Sequence, residues 1–225
     1  MTTRRWIALA LAVVALLLAA GRIGGALYVD HAWYAAMGAG ELWRAKLLYT
    51  LMLRGITALL GTAFVFANLF SVRHSIVSLV LPRRVGDLEI GEEVPGRTLM
   101  VAVLVLSAAL GALLTIPYGD WTLLAQAWRG LGYGEYDPYH QVDIGFWVHW
   151  LPLETALYHW ALLVLLVVSI VVVALYALTP SLRWDRGTLR VTTYVRRHLV
   201  ALGACALLVL AWSYRLDQYR LLIAG

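Results

Sequence analysis

Charge is scarce in this sequence. Only 14% of its 225 residues are Asp, Glu, Lys or Arg, 62% are hydrophobic, and the mean hydropathy is +0.76. Soluble globular domains carry about 25% charged residues, so this composition excludes that class. Cysteine is nearly absent as well. Cys205 stands alone among Ala and Leu, where a small, weakly polar side chain fills space. That excludes a disulfide within the chain and any metal site built on paired cysteines. Lysine occurs once, at Lys46, and every other basic residue is Arg.

What the sequence has instead is long apolar runs. A helix needs about 20 apolar residues to cross a bilayer. Runs of that length lie near 6–29, 47–70, 98–117, 156–178 and 198–216. They are continuous rather than alternating, so they read as helices and not as barrel strands. The fold class expected is an all-α integral membrane protein, one helical domain over 1–225 with about five transmembrane helices. The first run has the basic start and small residues of a secretory signal, and Arg4-Arg5 suggests a twin-arginine leader. Its apolar stretch continues through Ile23 to Val29, a full spanning length, so an uncleaved first helix is expected.

Lys and Arg are retained on the cytoplasmic side of bacterial membranes. Arg4 and Arg5, then Arg73, Arg83, Arg84 and Arg97, then Arg183, Arg186, Arg190, Arg196 and Arg197 fall on one side of the five runs. Only Arg44, Lys46, Arg129, Arg215 and Arg220 fall on the other. A multi-pass protein of the bacterial inner membrane is expected, with its N-terminus inside and its C-terminus outside. The net charge of +5 reflects this bias and attraction to anionic lipid, not nucleic-acid binding.

The two inner loops differ. Residues 81–97 are rich in Gly, Pro and mixed charge and read as an ordinary turn-rich loop. Residues 180–197 alternate apolar and polar around Asp185-Arg186-Gly187 and read as a short hairpin at the headgroups. The outer stretch 118–155 is crowded with aromatics, among them Trp121, Trp128, Trp147 and Trp150. Rings with a polar edge suit the interface depth. Asp120 is placed to cap a short helix, WTLLAQAWRG, with one apolar stripe, expected to lie in the interface plane. Pro152 suits the entry to the fourth span.

Two patterns carry a resemblance. The outer loop runs Asp137-Pro138, then Asp143-Ile144-Gly145-Phe146, then Leu151-Pro152 opening a span. The fifth span ends in Trp212-Ser213-Tyr214-Arg215-Leu216-Asp217-Gln218-Tyr219. Together they resemble the membrane part of the UPF0182 family of uncharacterised bacterial membrane proteins, over roughly 40–220 and most strongly over 118–155 and 196–222. The resemblance implies a helical membrane fold and brings no established activity. It also implies further spans and a large extracytoplasmic domain beyond Gly225, so the chain is expected to be either a shortened relative or the front of a longer product.

Several residues are candidates for chemistry. Glu135, Asp137, His140 and Asp143 offer oxygen ligands and an imidazole for a divalent ion. The competing reading has Asp137 and Asp143 hydrogen-bonding loop N–H groups while His140 faces water. No recognised ligand spacing is present, which favours the second. His159 near Trp160 could ligate haem or a chlorophyll magnesium, but no second mid-membrane histidine is available to pair with it. No cofactor is therefore expected. Arg54 lies within a span, where a charge marks a functional hypothesis; it could snorkel outward or pair with Glu154 or Asp120. Gly21 and Gly25, spaced G-x-x-x-G, allow close helix packing within the chain or against a partner. There is no G-x-S-x-G, no phosphate-binding Gly loop and no His–carboxylate pair at mid-depth. The expected function is a non-enzymatic accessory or scaffolding subunit contacting lipid and other integral membrane proteins, within a complex of respiratory or photosynthetic type. The alternative is a small transporter or channel component using Arg54 and the outer acidic residues.

Overall fold

The computed structural model describes residues 3–77, 83–85, 88–90, 96–179, 182–185 and 188–224. Side chains are described at 6, 7, 9–73, 96–179 and 190–221. Five helices are long and apolar enough to cross a membrane: Leu9–Ala36, Gly40–Arg73, Gly96–Leu113, Phe146–Ala177 and Thr193–Leu221. Each of the five expected spans thus has its helix. The chain divides into two compact units, Met1–Thr50 and Leu51–Gly225.

The first unit is a helical hairpin. Helix α1 (Thr3–Ala36) ends because Gly38 takes φ 69°, which only glycine adopts without strain. Ala39 N–H then bonds to Tyr34 O at 2.8 Å and Gly38 N–H to Ala35 O at 3.0 Å, satisfying carbonyls that the helix end leaves open. The turn brings the start of α2 (Gly40–Val77) back beside the end of α1. Lys46 pairs with Asp30 at 2.8 Å, and the His31 and Trp43 rings meet edge to face at 4.7 Å. Along the apolar stretch of α1 no residue is buried. A Cβ added at Gly21 or Gly25 meets no atom within 4 Å, so the G-x-x-x-G spacing makes no close contact here.

The second unit holds the rest of α2, then α3 (Gly96–Leu113), α4 (Trp121–Arg129), α5 (Leu151–Ala177) and α6 (Thr193–Ala224). Its core forms around α5, where Val164, Leu165, Val168, Val172 and Tyr176 recur on one face. Val65, Leu69 and Val72 of α2, Val103 of α3, and Val195 and Leu202 of α6 close on that stripe. In lipid, apolar faces gain little by leaving the solvent, so contact fit decides which faces meet. The α2–α3 crossing shows this: a Cβ at Gly111 would run into Thr62, including its backbone. At the other end of α5, the Tyr176 hydroxyl lies 2.7 Å from His198 Nδ1, and His198 Nε2 lies 2.9 Å from Asn68 Oδ1. Asn68 gives its amide N–H to Phe64 O at 2.8 Å, so Oδ1 is free to accept. That arrangement fits one neutral tautomer, with His198 Nε2–H donating and Nδ1 accepting from Tyr176. The chain ties α2, α5 and α6 together.

Two short antiparallel hairpins complete the second unit: β1 (Arg83–Val85) with β2 (Leu88–Ile90), and β3 (Leu182–Asp185) with β4 (Thr188–Val191). The second lies where alternation placed it. The first replaces the expected irregular loop. Its signal was Gly86-Asp87, a dipeptide suited to a two-residue hairpin connection, flanked by runs too short to show a period.

Candidate functional site

Aromatic and ionisable side chains gather between the end of α3 and the start of α5. Past Leu113 the chain turns through Pro117 to Asp120, whose carboxylate accepts from Thr122 N–H at 3.0 Å and from its hydroxyl at 2.6 Å. This is the expected cap, and α4 follows with none of its residues fully buried. Trp121 is half-buried and Trp128 is 74% exposed. Burial pushes the Tyr118 phenol up from its ordinary value.

From Gly130 to Gly145 the chain folds on two carboxylates. A bridge joins Tyr136 to Asp143, and Ile144 N–H reaches Glu135 O at 2.9 Å. Inside it, Asp137 accepts from the backbone N–H groups of Tyr139 at 3.1 Å and His140 at 2.6 Å. Asp143 accepts from three: Tyr133 at 3.0 Å, Gly134 at 2.8 Å and Gly145 at 2.6 Å. The Tyr133 N–H, helped by those of Gly145 and Gly134, holds the Asp143 carboxyl below its ordinary range. Glycine is required at 145 because a Cβ would sit 2.8 Å from Asp143 Oδ1 and 2.9 Å from Leu131 O.

FWVHWLP was expected to lead into the fourth span; its first five residues are already helical. Phe146–Trp150 form a π turn that runs straight into α5. Pro152 has no N–H to offer the carbonyl four residues back, so the α pattern fails there, and Leu151 N–H bonds five residues back, to Phe146 O. The turn aims Phe146 and Trp147 at the far end of α6. Tyr219 meets Phe146 at 5.0 Å, Trp147 at 5.2 Å and His140 at 5.1 Å between ring centroids. Two turns further along, Glu154 is 8% exposed; it accepts from Trp212 Nε1 at 3.0 Å and forms an ion pair with Arg215. The two sequence patterns that carry the resemblance therefore meet in space.

The other sequence candidates fall as follows. Asp137 and Asp143 turn their oxygens to backbone N–H groups, and His140 is half-buried against the rings of Trp147 and Tyr219. Among the described residues, no three His, Cys, Asp or Glu side chains group to hold a metal ion. His159 is exposed, tilted against Tyr158 at 5.3 Å. Trp147 is half-buried against Tyr219, while Trp150 is 48% exposed. Arg54 is exposed and lies against Gly119, where a Cβ would come 2.5 Å from Nη2. Glu154, one of its two candidate partners, is taken by Arg215. Sequence reasoning missed that pairing, although Trp212 and Arg215 are three apart and so share a helix face. It also missed Asn68, the chain's single asparagine, whose place inside an apolar run was the signal.

Helices of spanning length, a capped short helix beside them and an aromatic junction between loop and last helix define a multi-pass helical membrane protein. A family model described as "Uncharacterised protein family (UPF0182)" matches residues 7–225, and the chain belongs to that family. It is 29% identical over 217 residues to a UPF0182 protein of Cupriavidus necator, covering 94% of this chain and 23% of that one. A Synechococcus relative is 38% identical over 89 residues, 40% of this chain and 10% of its own length. A Mycobacterium tuberculosis relative is 26% identical over 208 residues, 88% of this chain and 20% of its own. The chain thus spans a quarter or less of these relatives' lengths. No solved structure matches it.

Proposed function

We propose that this chain is a non-enzymatic accessory or scaffolding subunit that packs within a larger bacterial membrane complex of respiratory or photosynthetic type. One observation carries the reading: three carboxylates of the junction hold structure. Asp137 and Asp143 fix loop amides, and Glu154 clamps α5 to α6. Such a junction makes a firm platform of rings, with Trp128 and Trp150 left outside it as contact groups for a neighbouring membrane polypeptide. The arginine bias puts the platform on the outer side of the inner membrane, with the N-terminus inside. Purification from native membranes in mild detergent, with mass spectrometry of the same fraction, tests this. Fixed stoichiometry with a large complex is the expected result; a chain that runs alone rejects it.

A second reading, a small transporter or channel component, is favoured by Arg54, which has no ion-pair partner among the described residues. Uptake or conductance left unchanged by Arg54→Ala would reject it.

A further inference from the structure

Two cavities meet at Trp160. The first, about 400 Å³, lies between α2, α4, α5 and the 117–120 turn, and its polar wall is Thr57, Tyr118, Asp120, Thr155 and His159. The second, about 300 Å³, lies on the other side of Trp160 between α2, α5 and α6, among Leu60, Phe64, Val164 and Val209. Trp160 walls both. Its Nε1 is buried and has no hydrogen-bond partner. An indole N–H only donates, and leaving it unmet in an apolar setting costs more than a hydrogen bond gains, so it calls for an acceptor from outside the protein. Two opposite charges lie close to the first cavity, one of them on Asp120, which lines it. The Arg54 guanidinium lies against Gly119, and the next residue, Asp120, uses only Oδ1 for its cap, leaving Oδ2 without a partner among the described residues.

From this arrangement we infer a binding site for one glycerophospholipid with a zwitterionic, amine-bearing headgroup. An acyl chain fills the apolar second cavity, and the ester carbonyl accepts from Trp160 Nε1. The phosphate faces Arg54 and the ammonium faces Asp120. Depth agrees with this placement, because the 117–120 turn lies where α3 has ended and the amphipathic α4 begins, at the level of a span's end. Headgroup charge decides between lipids. A purely anionic lipid would satisfy Arg54 and meet repulsion from Asp120, and an isoprenoid quinone would satisfy Trp160 and leave both charges unmet.

The site requires no partner polypeptide, so it stands or falls apart from the scaffolding reading. The test is native mass spectrometry of the delipidated, detergent-purified chain, titrated separately with dioleoyl phosphatidylethanolamine, dioleoyl phosphatidylglycerol and decylubiquinone. Phosphatidylethanolamine is expected to give a single tight adduct, the strongest of the three. Trp160→Phe keeps the ring and removes the donor, and should weaken that adduct about tenfold. Arg54→Gln should erase the preference over decylubiquinone. Ala156→Trp fills the first cavity without removing any polar group and should abolish the adduct while circular dichroism still shows a helical protein; it decides the matter even where Trp160→Phe fails to fold. Equal adducts from all three probes, unmoved by these variants, would mean ordinary boundary lipid and overturn the proposal. So would a tight adduct with the quinone alone, with phosphatidylglycerol alone, or with detergent alone.

Discussion

Asp143 shows how one side chain organises a loop. Its carboxylate satisfies three backbone N–H groups, and those N–H groups in turn lower its pKa from an ordinary 3.8. A carboxyl depressed in the folded state contributes stability that is fully present above its unfolded value and is lost as pH falls through the folded one. Amide-exchange protection at Tyr133, Gly134 and Gly145 should therefore hold down to the ordinary carboxylate range and collapse only below it, and Asp143→Asn should remove that acid step. Glu154 acts differently, because it joins two helices. Replacing it with Leu leaves Trp212 Nε1 and Arg215 without their acceptor. Breaking a fully buried pair costs about 3–5 kcal/mol, but the Arg215 side chain is 48% exposed and can rehydrate, so about 1–2 kcal/mol is expected. A double-mutant cycle of Glu154→Leu with Arg215→Met, read by thermal unfolding in detergent, measures the coupling; additive costs would show that the two groups do not support each other.

Among the elements, α5 is the organiser, and the helices around it are held by fit and by a few polar ties. Gly111 is the sharpest case of fit, since any side chain there displaces Thr62 together with its backbone. Gly111→Ala should push α2 from α3 and cost about 1–3 kcal/mol, seen as a lower unfolding temperature. The same change at Gly55, where a Cβ meets nothing within 4 Å, serves as the control and should be neutral or slightly stabilising. The Tyr176–His198–Asn68 chain is the polar counterpart. Bonds of this kind average about 0.6 kcal/mol in membrane proteins, so it selects helix faces more than it adds stability.

For the whole molecule, the arginine bias makes a prediction about orientation. In a Cys205→Ala background, Glu135→Cys should react with a membrane-impermeant maleimide in intact cells, and Thr193→Cys only after permeabilisation. The reverse pattern would invert the topology and move the aromatic junction and the lipid site to the cytoplasmic side. Both positions are exposed, so labelling reports sidedness rather than burial.

Five spans, the capped α4 and the β3–β4 hairpin were legible from sequence because each depends on local features: run length, a capping Asp, a period of two. Boundaries were less so. The fourth span starts at Phe146, ten residues ahead of the expected 156, because a π turn lets helical structure continue past the missing N–H of Pro152. Asp143 as a loop-fixing carboxylate was also readable, since its amide partners lie within ten residues of it. Glu154 was not, because Trp212 is 58 residues away and only helix packing says which faces lie side by side. The same holds for His198 and Asn68, 130 residues apart, and for the cavity that Trp160 divides. That this is a multi-pass helical membrane protein follows from the amino-acid order alone, because transfer of a segment into lipid depends on its own length and composition. Which buried polar groups meet, and where space is left between the helices, emerges only from the packed fold, because in lipid that choice rests on contact fit between surfaces that are all apolar.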